Sequence, residues 1–157
     1  MLFCGINPSL YSAATGHHFA RPGNRFWPAL HRAGFTDRQL SPFEDASLPD
    51  YALGCTNLVN RATARADEVT KEELVQGGER LREVAGTHRP AWVAVLGIGA
   101  YRAALDPGAR AIGAQRETLG PARLWVLPNP SGINAHYQLA DLAEAFADLR
   151  HATEGQD

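Results

Sequence analysis

Two cysteines in 157 residues are too few for a disulfide framework, and Cys4 and Cys55 are too isolated to form a zinc site. Both lie in apolar, strand-like runs and read as buried free thiols, which fits a reducing cytoplasm. Long apolar runs are also missing. No stretch approaches the ~20 residues of a membrane span. There is no signal-peptide pattern either, because Met1-Leu2-Phe3-Cys4 enters a strand at once. A start this abrupt suggests a natural protein that begins earlier. Neither sign of charge dominates: fifteen Lys and Arg against seventeen Asp and Glu leave a net charge of −2. The whole-molecule field therefore does not draw a polyanion. Any such contact must come from a local patch, for which Arg21, Arg25, Arg61 and Arg65 are the candidates. A P-loop lysine motif, a His/Cys/carboxylate cluster at metal-ligand spacing, internal repeats and low-complexity segments are all absent. No metal and no cofactor are expected.

What is present reads as one domain over residues 1–157, with ordinary values of 45% hydrophobic and 20% charged residues. Leu2-Phe3-Cys4, Gly54–Val59 and the continuous apolar run Ala91–Leu96 read as strands. Glu117–Leu119 and Arg123–Leu127 flank Gly120-Pro121 and form a candidate hairpin or edge ladder. Helices are expected over Phe26–Phe35, stopped at Gly34, and from a Thr70-Lys71-Glu72-Glu73 capping box to about Ala85, interrupted at Gly77-Gly78. Two more are expected from Gly99 to about Leu105 and over Leu139–Arg150, and a short one is possible at Pro42–Ala46. The tail from His151 reads as frayed. Strands alternating with helices predict an α/β fold, a parallel sheet with helices on both faces.

Gly97-Ile98-Gly99 after the Ala91–Leu96 strand begins like a dinucleotide fingerprint, but Arg102 stands where the third glycine belongs. The pair reads instead as a tight strand-to-helix turn.

Two stretches carry the chemistry. The first is Gly5-Ile6-Asn7-Pro8-Ser9-Leu10-Tyr11-Ser12, continuing through His17-His18-Phe19-Ala20 to Asn24-Arg25-Phe26-Trp27. Gly5 and Pro8 stop the strand, and a long loop follows, with a helix restarting after an Asn24 N-cap. The loop leaves the carboxyl end of the first strand, where open α/β sheets bind ligands. The second is Pro128-Asn129-Pro130-Ser131-Gly132-Ile133-Asn134-Ala135-His136, which follows the last strand and so lies on the same rim.

Together the stretches resemble the two motifs of the mismatch-specific uracil-DNA glycosylases, the bacterial enzyme and its thymine-DNA glycosylase relatives. Their first motif reads Gly-Ile-Asn-Pro-Gly-Leu, then Gly-His-His, an aromatic and Asn-x-Phe-Trp; the second reads Asn-Pro-Ser-Gly-Leu-Ser-Arg. The segments from Thr56 to Arg61 and from Ala66 to Leu74 are similar too, so the likeness covers nearly the whole chain. Ser9 stands where the family has Gly, and Ala135 where its bacterial members often have Arg.

The resemblance implies a three-layer α/β/α sandwich with a short, mostly parallel central sheet. It implies a monomeric, cofactor-free enzyme of base excision repair that acts on double-stranded DNA containing uracil mismatches. Such an enzyme flips the nucleotide out, hydrolyses the bond between uracil and deoxyribose, and leaves an abasic site. Asn7 would orient the attacking water, since an amide cannot take its proton. Phe19 would stack on the base, backbone groups around Ile6 and Phe19-Ala20 would read its edge, and Ser9 and Ser12 would line the pocket. Fast uracil glycosylases carry an aspartate at the Asn7 position and a tyrosine at the Ser9 position that blocks the thymine methyl, so a more open pocket is expected here. Ile133 would fill the vacated space, on a loop made of Asn129, Ser131, Gly132, Asn134 and Ala135.

His17 and His18 are adjacent and make a poor metal pair. Either one is exposed and one hydrogen-bonded, or His18 stands beside the reacting base or water. Asp67 is either a loop carboxylate near the positive end of the following helix or a general base that assists Asn7. Two other functions remain open at this level, a non-catalytic lesion binder and a small-molecule α/β enzyme. The pairing of Asn7 with the Ile133 loop favours the glycosylase.

Overall fold

A computed structural model describes residues 1–155 of the chain. Four strands run parallel: β1 (Leu2–Gly5), β2 (Gly54–Asn57), β3 (Trp92–Leu96) and β5 (Ala122–Leu127). The edge strand β4 (Gly113–Leu119) runs antiparallel to β5, and the sheet order is β2-β1-β3-β5-β4. The expected hairpin around Gly120-Pro121 is therefore this edge, in the register Leu119↔Ala122 and Thr118↔Arg123.

The two-residue period of the strands sorts the core into two layers. Phe3, Trp92, Ala94, Leu96 and Leu127 face one side, where α2 (Phe26–Arg32) and α5 (Leu139–Glu154) bring Phe26, Leu30, Phe146 and Leu149. Cys4, Val93, Val95, Leu124 and Val126 face the other, covered by Leu81 of α3 (Lys71–His88) and Tyr101 of α4 (Ile98–Ala104). The result is the α/β/α sandwich expected from the sequence. Phe3 shows how tightly the first layer is built, with its ring 5.3 Å from Phe26, 5.6 Å from Phe35 and 6.0 Å from Phe146. Truncating such a residue to alanine costs about 3–5 kcal/mol. Burial also makes the thiols inert: it pushes Cys4 up to about 12 and raises Cys55 as well.

The chain goes from β1 outward to β2, then returns past β1 to β3, with its helices on opposite faces. The direction of winding thus reverses between β1 and β3, and a crevice opens at their carboxyl ends. Gly97 makes the turn out of β3 at φ 125°, so the Gly-x-Gly pair does serve a tight strand-to-helix turn.

Several expectations are corrected. The loop after β1 contains a helix, α1 (Leu10–Thr15), with Ser9 as N-cap and a left-handed Gly16 closing it. Asn24 caps α2 from one residue further out, its Oδ1 accepting the Phe26 N–H at 2.9 Å. Strand β2 stops at Asn57, although the Leu58 and Val59 N–H groups still donate to the Gly5 and Ile6 carbonyls, each at 2.9 Å. The short helix at 42–46 is a longer, kinked 3-10 stretch, Pro42–Tyr51.

Helix α3 does not break at Gly77-Gly78. A Cβ there would lie 2.3 Å from the Leu58 carbonyl oxygen and 2.1 Å from that of Ala104, so the glycines let the helix press against neighbouring backbone. Helix α5 runs a turn past Arg150 to Glu154, where those two side chains pair. The remainder of the expected frayed tail, 156–157, lies outside the described residues.

Candidate active site

The crevice at the ends of β1 and β3 widens into a pocket of about 470 Å³. Both sequence motifs line it: Ile6, Asn7, Ser9, Ser12, His18 and Phe19 from the first, Asn129, Ser131, Ile133 and Asn134 from the second. Ala20, Gly132 and Ala135 belong to the same segments without lining the cavity.

Asn7 is held by both of its amide protons. Nδ2 donates to the Arg61 carbonyl at 2.9 Å and to the Thr63 hydroxyl at 2.8 Å. Thr63 is only 5% exposed, and its own proton goes to the Arg65 carbonyl at 2.6 Å. A flipped amide would set Oδ1 against two oxygens, so the orientation is fixed. Asn7 Oδ1 has no protein partner among the described residues and is left as an acceptor on the pocket wall. The local cause is a pairing of two loops: the segments after β1 and β2 form a parallel bridge at Ser9 and Thr63.

Ser9 turns its hydroxyl back into α1, accepting the Ser12 N–H at 3.0 Å and donating to Ser12 Oγ at 3.1 Å. The Ser12 hydroxyl in turn accepts the Ala20 N–H at 3.0 Å. The Ala20 N–H is thus already engaged, while that of Phe19 makes no hydrogen bond within the described residues.

Phe19 has a left-handed backbone, φ 52°, unusual for an aromatic residue. One face of its ring stacks on Phe26 at 4.2 Å. Its edge reaches over Gly5, where a Cβ would meet Phe19 Cε1 at 3.2 Å and Asn57 Oδ1 at 2.6 Å. Only glycine allows this approach, which explains Gly5 at the end of β1.

The strain at Phe19 is held by a residue that sequence reading missed. Asp45, in the 3-10 stretch, accepts from the His18 N–H at 3.0 Å with one oxygen and meets His17 Nδ1 at 3.1 Å with the other. Trp27 Nε1 donates to the His18 carbonyl at 3.2 Å. His17 is bound to Asp45 and lies edge-on to Phe43, and both histidines line the pocket. Burial holds the His18 imidazole below its ordinary value; Asp45 pulls the other way and His17 adds to the lowering. The net shift favours the neutral ring.

Asn57, at the carboxyl end of β2, was missed as a site residue. Its carboxamide lines the pocket and makes no side-chain hydrogen bond among the described residues. The available signal was its place as a polar residue ending a parallel strand, on the rim where ligands bind.

The second motif forms a stiff projecting loop. Asn129 Oδ1 accepts the Ser131 N–H at 3.0 Å, Ser131 Oγ lies 3.4 Å from the Ile133 N–H, and Asn134 Nδ2 donates to the Asn129 carbonyl at 2.9 Å. The Arg25 guanidinium reaches in from below and donates to the carbonyls of Pro130, Ser131, Asn134 and Tyr137. A Cβ on Gly132 would lie 2.7 Å from the Gly23 carbonyl, so the loop rests directly on the first motif. Ile133 stands at the tip, 59% exposed.

Arg25 is therefore a strut of the loop and not an available surface cation. Arg61 is bound to Glu73 at 2.8 Å and Arg65 to Asp67 at 3.0 Å. Asp67 lies on the pocket rim, about two-thirds exposed, with Arg65 as its side-chain partner and no hydrogen bond to Asn7 among the described residues. Glu68, not Asp67, closes back on the Arg65 N–H at 2.7 Å.

Among the described residues no three His, Cys, Asp or Glu side chains come together as a metal site, and no helix is long and apolar enough to cross a membrane. A family model described as the uracil DNA glycosylase superfamily matches residues 1–150.

Proposed function

The chain belongs to the uracil DNA glycosylase superfamily, hydrolytic DNA glycosylases of base excision repair, and from that premise we propose that it is of the mismatch-directed type, removing uracil from mispaired duplex DNA. The observation that carries the reading is the fixed Asn7 amide, whose oxygen has no protein partner among the described residues, in a pocket that Phe19 also lines.

In this reading the duplex hides the bond to be cut, and the nucleotide is flipped into the pocket. Ile133 enters the gap it leaves. Phe19, backed by Phe26, stacks on the flipped base. Asn57 offers both a donor and an acceptor to the pyrimidine edge, and the unpaired Phe19 N–H adds a further donor.

A water held by Asn7 Oδ1 forms a bond from its oxygen to C1′ as the N1–C1′ bond breaks. The bonding pair leaves with uracil as the N1 anion. The water's proton passes to solvent or to that anion, since a neutral amide cannot keep it. Catalysis then depends on donors aimed at the departing anion, and losing one costs about 2.7–4 kcal/mol. The neutral His18 beside the pocket is one such donor.

Ser9 spends its hydroxyl on capping α1 and leaves no bulky side chain where a thymine methyl would sit. We extend the substrate range on that ground to thymine and damaged pyrimidines. Ala135 offers the opposite strand no hydrogen-bonding side chain, which favours a relaxed demand for guanine opposite the lesion and activity on A·U pairs and single strands.

The test is incubation with G·U, A·U and single-stranded uracil oligonucleotides, followed by alkaline cleavage. Release from G·U at a higher rate than from A·U supports the mismatch type. Equal rates on all three assign the chain to another branch of the superfamily.

A further inference from the structure

Beside the pocket lies a second, shallower cleft of about 390 Å³, lined by Leu10, Tyr11, Pro22, Ala64, Ser9 and Arg21. It shares Ser9 and Arg21 with the pocket, so the two adjoin. Helix α1 turns Ser12 inward and leaves Leu10 56% and Tyr11 45% exposed. An isolated apolar residue on a surface needs no explanation, but an aliphatic and an aromatic residue side by side in a cleft do.

Arg21 supplies the second observation. The other arginines of the rim are committed: Arg25 to the loop carbonyls, Arg61 to Glu73, Arg65 to Asp67. Arg21 makes no side-chain hydrogen bond or ion pair among the described residues, and it stands between the two cavities. A π-face and a free guanidinium one step apart match an unstacked nucleobase and the phosphate attached to it.

We propose that this cleft binds the nucleotide next to the flipped one on the same strand, its base against Tyr11 and Leu10, with Arg21 on the phosphate that joins the two. The proposal rests on the glycosylase reading of the pocket. Ile133 lines the pocket and not the cleft, so wedge and cleft act on different parts of the strand. A neighbour still paired in a duplex must leave its own stack to enter. The cleft therefore acts chiefly on single-stranded or frayed DNA, giving hold on the lesion strand where the opposite strand is absent.

The test uses single-stranded oligonucleotides with one uracil whose 5′ or 3′ neighbour is replaced by an abasic tetrahydrofuran spacer. For the unmodified chain the spacer on one side should raise KM about tenfold, the loss of one stacked base, with kcat little changed. In Tyr11→Ala, an exposed position that does not threaten folding, the same spacer should have almost no further effect. Arg21→Gln should raise KM on every substrate and lower the salt slope by about 0.7, one phosphate contact on single strands. A spacer penalty of equal size in the unmodified chain and Tyr11→Ala, or no penalty on either side while uracil is still released, overturns the cleft and leaves the glycosylase standing. Failure to release uracil from the single strands while a G·U duplex is still cleaved overturns the cleft alone, and failure on the G·U duplex as well overturns both.

Discussion

Asn7 and Thr63 lie 56 residues apart in the chain and are joined by a 2.8 Å hydrogen bond from the amide to a hydroxyl whose own proton is already committed. That chain of donors fixes the Asn7 amide and leaves its oxygen without a protein partner among the described residues. Thr63→Val keeps the shape and removes the acceptor, which frees the amide to rotate. An orphaned donor costs about 1–3 kcal/mol, so single-turnover excision should fall about tenfold or more. Thr63→Ser should recover most of the loss, and affinity for abasic DNA should stay near that of the unmodified chain. Unchanged excision in Thr63→Val would mean that the Arg61 carbonyl alone sets the amide.

Asp45 holds two consecutive histidines and, through them, the left-handed Phe19. Asp45→Ala leaves the His18 N–H without its acceptor and releases the backbone strain. We expect a lower melting temperature and a weaker grip on the flipped base, seen as a raised KM for uracil DNA. Phe19→Ala should raise KM similarly, by the roughly 1–3 kcal/mol of one stacked base. The double variant should add little on KM, because both changes remove the same platform. Full additivity would separate Asp45 from Phe19.

His18 gives the fold an acid limit. Its folded-state value lies below the ordinary one, chiefly through burial. The unfolded chain therefore binds a proton first as pH falls below about 6.5, and stability is present above that range and lost as pH drops through it. His18→Gln should flatten the stability–pH curve below about pH 6.5 relative to the unmodified chain. Urea midpoints across that range check this; parallel curves for the two proteins would assign the acid sensitivity elsewhere.

In the proposed reading Asn57 sorts bases by their hydrogen-bonding edge. Asn57→Leu should raise KM for uracil and reduce discrimination among pyrimidines, with smaller effects on binding to undamaged DNA. Competition between uracil-containing and cytosine-containing duplexes measures the change. A variant as selective as the unmodified chain would remove Asn57 from recognition.

Much of the architecture was legible in the chain. The continuous apolar run of β3, the Thr70 capping box and the placement of both motifs on one rim follow from local pattern, and the structure carries them. Helix α1 was missed although its marks were present, Ser9 at one end and Gly16 at the other, because six residues make too short a periodic signal. Gly77-Gly78 read as a break because glycine weakens an isolated helix; tertiary contact with Leu58 and Ala104 backbone reverses that preference. The roles of Asp45, Thr63 and Arg25 were hidden for another reason. Each acts on a partner far along the sequence, 27 residues from Asp45 to His18 and 109 from Arg25 to Asn134. No local pattern records such a pairing, and Arg25 accordingly read as a surface cation when it is a strut.

Single-turnover excision of uracil from a G·U duplex, with Asn7→Ala and Asp67→Asn compared beside the unmodified chain, tests whether Asn7 handles the water. Asp67 is exposed on the rim and paired with Arg65, and it makes no hydrogen bond to the fixed amide among the described residues. The expected result is a fall of about a hundredfold or more in Asn7→Ala, in line with the loss of a preorganised group at the reacting centre, with abasic-DNA affinity retained and with Asp67→Asn close to the unmodified rate at every pH. An Asn7→Ala enzyme that excises uracil at the unmodified rate, or an Asp67→Asn enzyme that loses its activity together with its acidic limb, would contradict the account and move the water to the carboxylate.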